Sequence, residues 1–218
     1  MSFIDANRAE FGVEPVCAAL QVAPSNPFHG YCTLATCKPG IRERAEIGDW
    51  ILGVGSTQNS QAGKLIYAMR VQEAMTFDDY WTDQRFQQKK PSPNGDEESR
   101  CGDNIYHRHP DTGDWVQAPG YHSLANGCPN PRLVETDTKS PRVLISEHFV
   151  YYGKSAIDIP SHIMFYDEKD RFTGFRGYRC NFPTTLERYI VEWLQDLTQS
   201  PGRYDIPTHW NSADKPSC

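Results

Sequence analysis

The sequence predicts an α+β fold held in a single domain, on three observations. Strand-like segments recur in both halves of the chain. One amphipathic helix follows the last of them. Between the halves lies a long stretch rich in Pro, Gly, Asn, Asp and Ser. A chain of 218 residues hides roughly 70% of its unfolded surface when it folds, so disulfides are not needed to hold it together.

Val16 to Ala23 is a short apolar run and reads as a buried strand. Tyr31 to Thr36 alternates, is partly β-branched and reads as a second. After Lys38-Pro39-Gly40, residues Ile41 to Ile47 read as a short helix, with Pro39 near its first turn and Gly48 as its stop. Asp49 to Val54 follows as a strand. In Lys64 to Glu73, Leu65, Tyr67, Met69 and Val71 recur with a period of two, the pattern of a strand buried on one face. Thr76 to Asp83 opens on a hydroxyl and two early acids and reads as a helix.

Val143 to Tyr152 and Ile163 to Tyr166 read as strands. Thr184 to Thr198 is the best helix, with Thr184 and Glu187 spaced as a capping box. Its Leu186, Tyr189, Ile190, Trp193, Leu194 and Leu197 share one face, which is expected to pack on the sheet.

Within the single domain of residues 1–218, segments 1–86 and 143–198 carry the strands and helices. Residues 199–218 form a tail. Residues 87–142 form a loop-rich insertion. Long irregular stretches in compact domains are usually functional or disordered, and this one holds Tyr106, Trp115, Tyr121 and three histidines. Disordered segments are poor in aromatics, so an ordered, functional insertion is expected, with a mobile tip around Pro91 to Ser99.

The net charge is −6, and residues 91–140 carry 4 basic against 8 acidic groups. No basic run appears, which argues against tight non-specific duplex binding. No apolar stretch approaches the roughly 20 residues of a membrane helix. Met1 to Glu10 lacks the apolar core of a signal peptide, and seven scattered cysteines form no disulfide framework. The expectation is a cytoplasmic protein with reduced thiols and no membrane partner.

Two blocks carry a family resemblance. The first is TLATCKPGIRERAEIGDWILGVGS followed by GKLIYAMRVQEAMTFDDYWTDQRFQQKKP. The second is GDNIY at Gly102 to Tyr106 with SEHFVYYGKSAIDIP from Ser146. From about Tyr31 to Arg179 the chain resembles the nucleotide modification associated domain 2 family. That resemblance implies association with systems that make or handle modified bases in DNA. Within the first block, the run of helix, Gly48-Asp49, strand, loop and Gly63-Lys64 resembles PUA-like folds of the EVE and ASCH kind. It implies a partly closed β-barrel with peripheral helices around the loop-rich insertion.

The leading expectation is therefore a module that binds a modified nucleobase or nucleotide, as single-stranded or flipped-out DNA, in an aromatic and polar pocket. Stacking on aromatic faces is worth about 1–3 kcal/mol per base, polar groups read the base edge, and arginine grips phosphate in two places. Trp50, Tyr80, Trp81 and Tyr106 are the stacking candidates, with core packing the competing reading, strongest for Trp50. Asp103 and Asn104 are the edge readers, or simply a turn. Lys38, Arg42, Arg85 and Arg179 are the phosphate candidates, against a competing role in surface ion pairs. Ser56 could bond a ligand or make a turn.

Zinc would accept Cys101, His107, His109, His122 and Cys128, but their spacing matches no finger or ribbon. Neither a metal nor a cofactor is predicted. Cys32 or Cys37 could be a thiol nucleophile beside His29, although buried cysteines are usually inert. No constellation rises to a reaction class.

Two rivals stand beside the binding module. One is an enzyme that makes, transfers or removes a base modification. The other is a structural partner of modification enzymes in a modification or defence assembly, which would use the aromatic face of the last helix.

Overall fold

The computed structural model describes residues 16–20, 25–55, 60–92, 94–124, 126–173 and 177–207. They form a mixed α+β structure that divides into two compact units. The first is drawn from Val16–Leu20, Ala45–Gln72 and Ser146–Thr208, and the second from Pro24–Arg44 and Glu73–Ile145.

The first unit is built on one sheet. Its strands are β1 (Val16–Leu20), β3 (Trp50–Val54), β4 (Lys64–Arg70), β9 (Phe149–Tyr151), β10 (Ile157–Asp158), β11 (Tyr178–Arg179) and β12 (Gly202–Arg203). The order is β11-β1-β3-β4-β9-β12, with β10 on the free length of β4. β1 and β3 run parallel, while β3, β4 and β9 alternate in direction. Gly53 lies opposite Tyr67, and a Cβ there would sit 2.0 Å from the ring, so only glycine lets the two strands pair.

The expected barrel does not form among the described residues. Closure requires the two end strands to pair with each other, and β11 and β12 are two-residue strands at opposite ends of an open order. The half-buried reading of Lys64 to Glu73 also changes. Leu65 to Met69 are all buried, so both faces of β4 are covered.

The helix α6 (Thr184–Leu197) packs on this sheet through Leu186, Ile190 and Leu194, against Trp50, Leu52, Val54 and Val150. Burying each of these aliphatic side chains contributes roughly 1.5–3 kcal/mol. Its N-cap is Pro183 and no side-chain cap bond forms, so the capping box at Thr184 is not made. Ile163 to Tyr166 begins as the short helix α5 (Ser161–Met164), not a strand. The amides of Ile163 and Met164 both bond the carbonyl of Pro160.

The second unit holds a three-stranded sheet in the order β2 (Cys32–Leu34), β8 (Arg142–Ser146), β5 (Glu73–Thr76). The hairpin β6 (Tyr106–Arg108) and β7 (Trp115–Gln117) lies within the loop-rich segment. Four α-helices accompany them among the described residues: α1 (Pro39–Arg44), α2 (Phe77–Thr82), α3 (Glu97–Arg100) and α4 (Pro131–Asp137). The Thr76 hydroxyl caps α2 by accepting from the amide of Asp79 at 3.1 Å, as the sequence predicts. Phe77, Tyr80, Phe86, Ile105, Tyr106, Val143 and Ile145 form the apolar core.

The single strand expected over Val143 to Tyr152 is two strands in different sheets, β8 and β9. The break falls at Glu147-His148, where the Gln72 side-chain oxygen accepts both amides, at 2.6 and 2.9 Å. A side chain distant in sequence satisfies the backbone there, so the ladder need not continue. No described helix is long and apolar enough to cross a membrane.

Candidate functional site

The second unit brings a thiol, an imidazole and a carboxylate into line. Cys37 Sγ lies 3.9 Å from His122 Nε2, and His122 Nδ1 lies 2.9 Å from Asp137 Oδ2. Asp137 and His122 have 1% and 12% of their side chains exposed, and Cys37 is half-buried. The carboxylate is the most deeply buried of the three.

Local structure explains how each member is held. Cys37 and Lys38 follow β2 with φ of 55° and 42°, left-handed values at two successive non-glycine residues. Each such residue costs about 1–3 kcal/mol and persists only where its surroundings enforce it. The Cys37 amide donates to Asp137 Oδ1 at 2.9 Å, and its carbonyl accepts from Arg42 Nε at 3.0 Å.

Arg42 is fully buried and braces the turn against α4 and the chain after it. Nη1 donates to the carbonyls of Ser140 and Arg142, each at 2.6 Å, and Nη2 donates to the carbonyl of Asp137. Burial lowers its pKa to about 10, with the Asp137 charge opposing the fall.

Asp137 ends α4. Asn130 caps that helix and Pro131 opens it, a sequence suited to a helix start. The Tyr106 hydroxyl donates to Asp137 Oδ2 at 2.9 Å. Burial, then the Asp137 charge, holds this phenol well above its ordinary pKa, so it remains a donor. Gln117, paired with Tyr106 across the hairpin, ties the parts together. Its Nε2 donates to Tyr106 Oη at 2.9 Å and to the His122 carbonyl at 3.3 Å, and its Oε1 accepts from the Asn130 amide at 2.7 Å.

With Nδ1–H directed at Asp137, Nε2 is the basic atom, and it faces the sulfur. This is the order of parts in a nucleophile–base–orienter triad. The three residues also offer atoms within 4.8 Å of one another, as metal ligands do. However, both Asp137 oxygens already accept hydrogen bonds, and Nδ1 and Nε2 of one ring cannot bind one ion. Cys37 and His122 would remain as only two ligands, too few for a closed zinc site.

The other candidates from the sequence are placed as follows. Tyr80, Asp103 and Asn104 are buried beside Lys89 in a second polar centre. Asp103 accepts from the Tyr80 hydroxyl at 2.8 Å and from Thr33 Oγ1 at 2.6 Å. Asn104 Nδ2 donates to the carbonyls of Tyr80 and Phe86 at 2.9 and 3.1 Å. Lys89 Nζ reaches Asn26 O, Asn26 Oδ1, Tyr31 O and Thr33 Oγ1 within 3.1 Å. Burial lowers the Lys89 pKa to about 8, with Asp103 opposing, and burial raises that of Asp103. These groups face one another inside the unit. An open depression of about 600 Å³ is lined instead by Trp115, Pro131, Val134 and Lys139, among others.

Trp81 carries Lys90 Nζ over its ring at 3.7 Å and the His107 ring at 4.1 Å. Arg85 is exposed and bridges Glu73 and Asp83. Arg179 lies in the first unit, where Nη1 donates to the Arg171 carbonyl. Trp50 is buried in that unit's core, and Ser56 lies outside the described residues.

Lys38, Arg42 and Tyr106 are therefore the predicted residues that meet at the triad. The sequence reading named Cys37 and His122 but paired the thiol with His29, and it missed Asp137. In the sequence the pointer to Asp137 is the Asn130-Pro131 helix start a few residues before it.

The fold and site together define an α+β protein with a pre-formed thiol–imidazole–carboxylate arrangement. The chain belongs to the family described as nucleotide modification associated domain 2, whose model matches residues 16–214. No curated protein and no solved structure matched the chain.

Proposed function

We propose that this protein is a thiol-dependent enzyme of nucleotide modification, with Cys37 as nucleophile, His122 as its base and Asp137 as the group that orients the imidazole. The observation that carries this reading is the alignment of Sγ, Nε2, Nδ1 and Oδ2 at 3.9 and 2.9 Å. A thiol becomes a nucleophile when its proton can leave, and an oriented imidazole accepts it. The family's description, which names nucleotide modification, supports a nucleotide substrate. Lys38, half-buried beside Cys37, would offer a cation to the phosphate of a bound nucleotide. This reading takes the enzyme rival over the binding module, whose aromatic and amide candidates mostly point inward. The structural-partner rival is weakened, because the last helix buries Leu186, Ile190 and Leu194 against its own sheet and packs Tyr189 and Trp193 partly on the same core.

The test is alkylation by iodoacetamide between pH 6 and 8, followed residue by residue by mass spectrometry. Cys128 is an exposed free thiol in the same unit and serves as reference. Cys37 should react faster than Cys128 at pH 6, His122→Ala should remove that advantage, and nucleoside monophosphates should slow Cys37 alone. Equal rates for the two thiols in the folded protein would refute the proposal.

A further inference from the structure

We infer that Cys37 works by acyl transfer on an amide or ester carbonyl carried by the nucleotide. This inference rests on the thiol-enzyme reading and adds the bond that is broken.

The orientation of His122 carries the argument. Asp137 holds Nδ1–H at 2.9 Å, so Nε2 alone can exchange a proton, and it lies on the sulfur side of the ring. A proton taken from Sγ is then held on Nε2, 3.9 Å from the sulfur, beside any carbon that the sulfur attacks and the group departing from it. Amines and alcohols leave carbonyl carbons slowly as anions and readily once protonated, so a fixed proton carrier matters most for acyl transfer. Tyr106 and the Cys37 amide hold Asp137 from other directions at 2.9 Å each. The carboxylate can therefore stabilise the imidazolium without moving.

The competing thiol chemistries fit less well. Disulfide exchange expels a thiol, which departs as an anion and needs no fixed proton carrier. Addition of sulfur to a pyrimidine ring carbon expels no leaving group in its first step, and would leave the proton on Nε2 without a recipient there.

The steps balance. Sγ–H gives its proton to Nε2 as sulfur bonds to the carbonyl carbon. The resulting tetrahedral adduct collapses, the C–N or C–O bond breaks, and the Nε2 proton goes to the departing nitrogen or oxygen. Water then adds to the thioester while Nε2 takes one of its protons. The C–S bond breaks and sulfur recovers that proton. The products are a carboxylic acid and an amine or alcohol, with no change of oxidation state. An amine in place of water would give transfer instead of hydrolysis.

The experiment uses the full chain with p-nitrophenyl acetate as acyl donor. In parallel it uses an oligonucleotide containing a 2-pyrimidinone deoxynucleoside, whose ring carbon adds a thiolate and holds it without a second reactant. The expected result is an acetyl group on Cys37 that hydroxylamine removes, with no oligonucleotide adduct. Acetylation should fall roughly 10²–10⁴-fold in His122→Ala. Asp137→Asn should also slow it, and Cys128→Ser should leave it unchanged. Circular dichroism and thermal melting confirm that each variant folds. An oligonucleotide adduct on Cys37 without acetylation would overturn acyl transfer and leave the thiol-enzyme reading standing. Cys37 no more reactive than Cys128 towards iodoacetamide, or stoichiometric zinc bound through Cys37, would overturn both.

Discussion

In the first unit, the last helix lays Leu186, Ile190 and Leu194 on Trp50, Leu52 and Val54, and hydrocarbon fills the space between. In the second, the interior holds Arg42, Lys89, Asp103, Asn104, Gln117 and Asp137, all buried, beside a smaller aromatic core. Apolar packing is forgiving of small shifts and carries little directional information. Buried polar groups must each find a partner at hydrogen-bond distance or they destabilise the fold. A unit wired by such bonds holds its side chains to narrow positions. The triad sits in that unit, on a turn whose backbone strain is opposed by Arg42 and Asp137. The first unit has the plainer task of folding stably.

Substitutions of similar size should therefore behave differently in the two units. Lys89→Ala should cost the most, about 3–5 kcal/mol, because it leaves Asp103 as a buried charge without its cation. Urea unfolding would measure it, and a loss below 1 kcal/mol would mean that the polar centre is not the framework described. Leu194→Ala should cost about 3 kcal/mol by the same measurement. Below its melting temperature it should leave the Cys37 alkylation rate unchanged, whereas Gln117→Leu should lower that rate even where stability is nearly kept. Thr76→Ala, which removes the cap of α2, should cost about 1 kcal/mol.

The smallest effect is one of pH. Burial raises the Glu187 carboxyl to about 7, opposed by the bond it accepts from the Phe182 amide and reinforced by Asp49. With the folded pKa above its ordinary value of 4.5, the folded protein binds the extra proton between these limits. Its contribution is present below about 4.5 and is lost as pH rises through 7. Glu187→Gln should therefore stabilise the protein above pH 7 by about 1 kcal/mol or less after solvent screening. The gain should disappear near pH 4, and thermal melts across that range would show it.

Much of the secondary structure was legible because it follows from local pattern. The period of two placed β4, and the spacing of Leu186, Ile190 and Leu194 placed α6 and its buried face. Thr76 with its following acids placed α2. The misreadings have one origin. Val143 to Tyr152 is continuous in propensity, but the Gln72 side chain interrupts it from the distant link between β4 and β5. Ile163 to Tyr166 is β-like in composition, but Pro160 supplies a carbonyl that starts a helix. The barrel came from likeness of pattern, and pattern does not say which edges meet.

The site divides in the same way. That a Cys-Lys-Pro-Gly turn follows a strand is written in adjacent residues, and local rules for strands and prolines suffice for it. The helix α4, capped at Asn130-Pro131, lies inside the segment expected to be loop-rich and emerges only in the structure. That His122 and Asp137 stand behind Cys37, 85 and 100 residues away along the chain, was settled only by tertiary structure. Arg42, Tyr106 and Gln117 find their partners through space, and hydrogen bonds between distant side chains leave no periodic trace in a sequence.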